Sequence, residues 1–404
     1  MKKVLIAVPT FSNLSETFIL REVESLNSSK DLDINVISLK KGKATVSDDL
    51  NPKVLYIKIK PKDLISSFGF ILKNLRSILK TARSYFSNSD QSLFYKFYFF
   101  AKGMLYAFKL KDTSFSHMHI HFMSEFSSIF GISCMILNKK FSISGHAKDI
   151  YLDITDPVFK ARFAKFISVC NTKAFLKLIE LSGGKGRKNI VLAFHGINPK
   201  LFEFKKRKMS FNKKINVLCD ARFTEKKGLE YLSQAVISLI KDYNFDLELT
   251  LVGLAATESQ KNYLEQIKKL FKDSQIYNRL HIPNNGDGLQ QKDVVKEYDS
   301  ADVFIYSGIN ADDGDIDGIP NSLLQAAFNG LPIITTQAGS ISDLFNEKNS
   351  YIINQRDVLD IIDKFNEMVI DKNLNKKIEL MHKNVVESFD EDKNTRYLEK
   401  LIVS

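Results

Sequence analysis

ADDGDIDGIPNSLLQAAFNGLPIITT, Ala311–Thr336, is an acidic loop that runs into a helix and then into a buried β-branched strand. Pro320 pre-sets a first helical turn, so the helix is expected to start near Ile319 with its free N–H groups pointing at whatever lies beyond the sheet. Asp317 stands just before that helix, and Gln325 is expected about two turns inside it. Both side chains are suited to binding hydroxyls, and Asp317 equally suits a carboxylate favoured by the helix dipole. Asp313, Asp315, Asp317 and Gly318 imitate the opening of a calcium loop. The twelfth position is Leu324, where a bidentate Glu is needed, so calcium is rejected.

Working outward, the same strand–helix alternation fills the chain, as expected of βαβ units and parallel sheets. The first half carries apolar runs at Val4–Val8, Ile34–Leu39, Val54–Ile59, Met118–Phe122, Phe141–Ser144, Phe166–Cys170 and Ile190–Phe194. The pattern restarts at Ile215–Leu218, Leu247–Val252, Leu280–Ile282, Val303–Tyr306, Ile333–Thr335 and Tyr351–Ile353. Phe202–Lys214 is polar, basic and without apolar periodicity, and reads as a linker. The expected organisation is therefore a domain over 1–201, a linker over 202–214, a second domain over 215–389 and a last helix over 390–404 that could cross back to the first domain. Two doubly wound α/β domains facing each other would bring the carboxyl ends of both sheets to one cleft.

The chain has 404 residues, 44% of them hydrophobic and 26% charged, which excludes disordered, collagen-like and multi-span membrane classes. Three cysteines, Cys134, Cys170 and Cys219, form no C-x-x-C pair, so neither a disulfide framework nor a zinc ribbon is supported and a reducing cytoplasm fits. The apolar run in MKKVLIAVPTFSNLSE is too short for a signal peptide and reads as a first buried strand. No run approaches the length of a membrane-spanning helix.

Charge is unevenly spread. Residues 1–200 carry 31 basic against 15 acidic side chains, and residues 201–404 carry 27 against 32. The first half is thus suited to meeting a polyanion. In Lys58–Arg83 the cations Lys73, Arg76, Lys80 and Arg83 alternate at helical spacing with Leu64, Ile65, Phe68, Ile71, Leu72, Leu75, Ile78 and Leu79. Such a basic amphipathic helix suits an anionic membrane surface. The plainer alternative is a helix whose apolar face packs on its own core. No nucleic-acid module is legible, and nucleic acid is not expected as a partner.

Three groups of residues can carry chemistry. Arg222 and Lys227, in ARFTEKKGLE, fall between a strand end and a helix start, a natural seat for a diphosphate. His117, His119 and His121 share one face of a strand, but nothing nearby completes a metal site, so no metal is expected. His146 follows Gly145 at a strand end, in SISGHAKDIY. The dinucleotide fingerprint is missing, because PTFSNLSETF follows the first strand, and Gly183–Lys188 lacks phosphate-loop spacing.

Six pieces, taken together and in order, resemble glycosyltransferase family 4, the retaining sugar-nucleotide transferases of the GT-B fold. They are most similar to the branch that builds colanic acid, O-antigen and other exopolysaccharides. The pieces are PTFSNLSETFILREVESL (Pro9–Leu26), HIHF (His119–Phe122), SGHAKDIY (Ser144–Tyr151), FHGINPKLF (Phe194–Phe202), ARFTEKKGLEYL (Ala221–Leu232) and DGIPNSLLQAAFNGLPIITT (Asp317–Thr336).

The resemblance implies two facing Rossmann-like domains, the first binding acceptor and the second nucleotide sugar. It implies that Arg222 and Lys227 hold the donor diphosphate, with Gly318, Ile319, Asn321, Leu324 and Gln325 completing the donor site. His146 and Asp317 would act at the transferred sugar, and Ser15, Glu16, His121 and Lys148 would lie on the acceptor side. The family's E-x7-E pattern falls on Asp317 and Gln325, and Asn198 replaces an aspartate; each change keeps hydrogen-bonding capacity. The implied activity is metal-independent hexosyl transfer, without cofactor, to a glycan or polyprenyl-diphosphate-linked acceptor. Its place would be the cytoplasmic, inner face of the cell membrane. The changed glutamates leave open a catalytically silent subunit that binds a partner enzyme.

Overall fold

The computed structural model describes residues 1–404 except 13–16, 44–45, 47–49, 51–52, 195, 199–200, 208–212 and 311–317. Two compact units make up the chain, Met1–His195 with Asp392–Ser404, and Gly196–Glu391.

The first unit holds strands β1 (Lys2–Phe11), β2 (Leu32–Lys41), β3 (Val54–Tyr56), β4 (His117–His121), β5 (Lys140–Gly145), β6 (Ile167–Val169) and β7 (Ile190–Leu192). They form one sheet in the order β3-β2-β1-β4-β5-β6-β7, with every pair parallel. Val4, Ile6, Ala7 and Val8 are fully buried, as a strand covered by helices on both faces requires. One side of this sheet packs Ile19, Val23 and Leu26 of the helix Thr17–Asn27 together with Leu398 and Ile402 of the last helix, Glu391–Val403. The end of that last helix is held by Lys2 Nζ, which donates to the carbonyls of Ile402 (2.7 Å) and Val403 (3.0 Å), and by Lys165 Nζ, 3.1 Å from Ile402 O. Cations at a helix C-terminus satisfy its orphan carbonyls and its dipole at once. The other side carries the helices Leu75–Phe86, Leu93–Leu110 and Glu125–Ile136, over Met118, Ile120 and Ile143.

The second unit holds β8 (Ile215–Asp220), β9 (Leu247–Val252), β10 (Leu280–His281), β11 (Val303–Tyr306), β12 (Ile333–Thr336) and β13 (Tyr351–Ile353), in the order β10-β9-β8-β11-β12-β13 and again all parallel. Counted within the unit, this is the doubly wound 3-2-1-4-5-6 order, and the first sheet follows the same rule. Each reverses direction beside its first strand, between β1 and β4 and between β8 and β11. Beyond the carboxyl ends at that reversal, the helices on the two faces splay and leave room for a ligand.

Two stretches differ from the sequence reading. The first part of the expected linker is built into the second unit, because its aromatic residues anchor it. Phe202 is buried against Tyr298 (5.4 Å between ring centroids), Phe204 lies 4.2 Å from His382, and the Arg207 guanidinium donates to the carbonyls of Tyr298 (2.9 Å) and Ala301 (2.7 Å). The helix expected from near Ile319 runs over Asn321–Asn329, with buried Pro320 at its N-cap, so Gln325 lies one turn inside it rather than two.

Candidate active site

In the first unit the candidate residues gather where β1 and β4 part. On β4, alternation puts His117, His119 and His121 on one face, and all three are fully buried. In register beside them, β5 presents Ser142 opposite His119 and Ser144 opposite His121. Ser142 Oγ lies 2.7 Å from His117 Nε2 and 2.7 Å from His119 Nδ1; Ser144 Oγ lies 2.9 Å from His119 Nε2 and 2.8 Å from Ser168 Oγ. Burial holds His117 neutral, its pKa lowered to about 2.

His121 turns to His146. Its Nδ1 stands 3.3 Å from His146 Nε2 with the rings nearly coplanar in direction, 3° apart. Phe18 (4.9 Å) and Phe122 (5.0 Å) flank the His146 ring. The loop that carries His146 is fixed by Asp149, whose carboxylate accepts from the backbone N–H of His146 (2.9 Å) and of Met123. Beside it Lys160 Nζ, fully buried, donates to the carbonyls of Met123 and Ser124, each at 2.7 Å. Burial pushes Asp149 up to about 7 and Lys160 down to about 7.

Glu22, from the helix Thr17–Asn27, is a member of the site that sequence reasoning missed. Its Oε1 lies 3.4 Å from His121 Nε2 and 3.6 Å from His119 Nε2. A signal was present: Ile19, Val23 and Leu26 form the buried stripe of that helix, and Glu22 falls inside it at i+3 from Ile19. Glu22, His119 and His121 each offer one ligand atom within 4.8 Å of the others, and among the described residues this is the group able to hold a metal. Both ring nitrogens of His119 already face serine hydroxyls, which fits a hydrogen-bond network better than a ligand set. Ser15 and Glu16 lie outside the described residues, as does the side chain of Lys148 at the start of the helix Ala147–Tyr151.

In the second unit the candidates follow the carboxyl ends of β8 and β11. After β8, Arg222 is exposed and Lys227 buried. Lys227 Nζ donates to Tyr306 Oη (3.1 Å) and sits 5.3 Å over that ring. Gly228, φ +60°, opens the helix Leu229–Lys241; a Cβ there would meet Ser307 O at 2.1 Å. Ser307 Oγ donates toward the carbonyls of Gly228 (2.8 Å) and Lys227 (3.2 Å), and Ile309 N donates to Lys226 O (2.8 Å). The lysine-bearing loop is thereby clamped to the end of β11.

Asp220, the last residue of β8, is half-buried and accepts from Tyr298 Oη (2.9 Å); desolvation raises its carboxyl to about 6. Tyr298 Oη also lies 3.3 Å from Ser322 O, which ties β8 to the first turn of the helix Asn321–Asn329. Gly318, Ile319 and Asn321 are half-buried at that N-terminus, Gln325 is buried one turn further in, and Leu324 puts its side chain into the core. Asp317 lies outside the described residues. A fixed cation, an exposed arginine and a helix N-terminus at one switch point can together neutralise a diphosphate.

Residues 202–384, which carry this sheet order and this cationic edge, match the family model described as Glycosyl transferases group 1. The chain is similar to the amylovoran biosynthesis glycosyltransferase AmsK of Erwinia amylovora, 30% identical over 156 residues. That match covers 38% of this chain and 35% of the relative, so the chain spans about a third of the length of the curated relative it matches. Among solved structures, Anabaena Alr3699/HepE in complex with UDP superposes with a TM-score of 0.69 at 12% identity over the whole of both chains. A glycosyltransferase from Rickettsia africae gives 0.68 at 15% identity, covering 99% of this chain and 98% of that one. The fold is GT-B, two Rossmann-like domains.

Proposed function

We propose that the chain is a retaining hexosyltransferase that moves a sugar from a nucleoside-diphosphate donor to a polyprenyl-diphosphate-linked glycan in surface-polysaccharide synthesis, at the inner face of the cell membrane. The observation that carries this reading is the clamped Lys227 loop at the β8/β11 switch point, inside the matched residues 202–384. Breaking the sugar–phosphate bond puts negative charge on the departing nucleoside diphosphate. Lys227, Arg222 and the N–H groups at the start of the helix Asn321–Asn329 stabilise that charge, and Gln325 takes a ribose hydroxyl. His146 and Asp317 serve the transferred sugar, and His121, Ser15, Glu16 and Lys148 the acceptor. With cations at the diphosphate the chemistry needs neither metal nor cofactor. The proton of the attacking hydroxyl passes to the departing phosphate oxygen, on the face the leaving group vacates.

The experiment is a thermal shift of the whole chain against UDP, GDP, ADP and CMP and their sugars, with the Arg222→Ala/Lys227→Ala variant alongside. A nucleotide at about 100 times its Kd adds about 2.7 kcal/mol, a rise of several degrees. The expected result is a shift for one nucleotide class that disappears in the variant. No shift with any nucleotide would abandon the donor assignment in favour of a silent, partner-binding subunit, the reading that the changed positions Asp317 and Gln325 favour.

A further inference from the structure

The connection from β3 to β4 carries the helices Pro61–Ser66, Phe68–Lys73 and Leu75–Phe86, separated only by Ser67 and Asn74, followed by Leu93–Leu110. The inward side of the first three holds Asp63, Ser67, Ile78, Thr81 and Tyr85. On the outward side Leu64, Ile65, Phe68, Leu72, Leu75 and Leu79 recur at spacings of three and four, one stripe of a helix. All six are exposed, Ile65 to 84% and Phe68 to 67%. Of the eight apolar residues at helical spacing in this segment, only Ile71 and Ile78 turn toward the core.

A second exposed apolar strip opens the next helix. Leu93, Phe94, Tyr95, Phe97 and Tyr98 open the helix Leu93–Leu110 and are exposed, Phe94 to 73%. The Phe86 and Phe97 rings lie 5.0 Å apart, and at the opposite end Lys109 pairs with Asp63 at 3.4 Å, so the helix Leu93–Leu110 runs antiparallel beside the segment Pro61–Phe86 that carries the first strip. The cations of these helices are Lys62, Lys73, Arg76, Lys80, Arg83, Lys96, Lys102 and Lys109. Their one carboxylate, Asp63, is buried and engaged by Lys109. Elsewhere the exposed large apolar residues are scattered singly or in pairs along the sequence, an arrangement that needs no partner.

We propose that this face docks on an anionic lipid bilayer, with the helices Pro61–Phe86 and the start of Leu93–Leu110 in the headgroup plane and Ile65, Phe68, Phe94 and Phe97 reaching the acyl boundary. Charge selects this occupant: a second copy of the same face would bring like cations together, whereas phosphate headgroups complement them. No described helix is long and apolar enough to cross a membrane, so the face lies on the bilayer rather than through it. The inference rests on the proposed lipid-linked acceptor and supplies the surface by which the chain would reach it.

The test is co-sedimentation of the whole chain with vesicles of 70% phosphatidylcholine and 30% phosphatidylglycerol, against pure phosphatidylcholine. Two variants accompany it, Phe68→Ser/Leu72→Ser/Phe94→Ser and Lys73→Glu/Lys80→Glu. Partition to the anionic vesicles is expected to be at least about tenfold stronger than to neutral ones, to weaken in high salt, and to fall about tenfold in each variant. All the substituted positions are exposed, and an unchanged melting temperature shows that the fold is kept; if the apolar variant does not fold, the charge-reversed one decides. Wild type that ignores anionic vesicles, or variants that bind as well as wild type, overturns the proposal. So does a dimer in solution that the apolar variant disrupts, which would assign the face to a second copy. Nucleotide thermal shifts read the donor site separately, so vesicle binding without a nucleotide shift sinks the donor reading and leaves this surface standing.

Discussion

Nδ1 of His121 stands 3.3 Å from Nε2 of His146, while Oε1 of Glu22 lies 3.4 Å from the other nitrogen of His121. A carboxylate at this distance favours a proton on the facing nitrogen of His121, and so bears on how His121 meets His146. His146→Ala is expected to lower turnover of the stabilising donor about 100-fold or more, and Glu22→Gln about tenfold with a changed pH–rate profile. Nucleotide release measured from pH 5.5 to 8.5 checks both. An unchanged profile in Glu22→Gln would remove Glu22 from this chain of contacts.

Asp220 gives a pH dependence of stability. Its folded pKa, raised by burial to about 6, exceeds the ordinary carboxyl value, so the folded state holds the proton more tightly than the unfolded one. The stability it contributes is full below about pH 4 and is lost as pH rises through about 6. Asp220→Asn keeps an acceptor for Tyr298 Oη and carries no charge. The variant is therefore expected to be more stable than wild type by roughly 2 kcal/mol at pH 7.5 and equal to it near pH 4. Melting curves at the two pH values decide, and a difference independent of pH would sink the account.

Gly228→Ala places a methyl 2.1 Å from Ser307 O at φ +60°, a conformation that disfavours a Cβ even in open space. The loop carrying Lys227 must then lift from the end of β11. We expect a loss of about 2–4 kcal/mol in stability and of at least half the nucleotide-induced melting shift. Chemical denaturation and thermal shift measure the two effects. A destabilised variant that keeps the whole shift would separate the loop from the donor.

The thirteen strands among the described residues all coincide with apolar runs legible in the sequence, because a strand covered on both faces cannot hide its Val and Ile content among polar residues. The ends were less legible. β1 continues through Pro9 to Phe11, and β3 stops at Tyr56, where it forms the sheet edge. Arg222, Lys227 and His146 could be singled out as candidates because each sits at a strand end beside a turn or helix start. Glu22, Tyr298 and Tyr306 were not found, since each reaches the site from an element whose position only the tertiary fold settles. The amphipathic reading of Lys58–Arg83 left the destination of its apolar side open, and the answer depended on which side the sheet covers.

Lys160 is fully buried, with both described hydrogen bonds going to backbone carbonyls, and the carboxylates of Asp149 and Asp156 supply its compensating field. Lys160→Met keeps the volume and removes the charge, leaving two carbonyls without their donor and two buried acids without their cation. The expected cost is about 3–5 kcal/mol. Urea unfolding measures it, and a cost below about 1 kcal/mol would mean that the lysine is neutral in the folded protein and exchangeable for an apolar side chain.

Gln325 tests whether the changed acidic pattern still serves a donor. It is buried one turn inside the helix Asn321–Asn329, and in the proposed role its uncharged amide bonds a ribose hydroxyl. An uncharged hydrogen bond contributes equally before and during sugar transfer, so its loss belongs in KM rather than kcat. Gln325→Leu is expected to raise the donor KM about five- to tenfold with kcat within a factor of about two, and Gln325→Glu to stay near wild type. Steady-state kinetics on the donor identified by thermal shift makes the comparison. If Gln325→Leu binds donor as wild type does while Gln325→Glu gains activity from a dead parent, the glutamine marks a site that has lost its chemistry, and the silent-subunit reading takes its place.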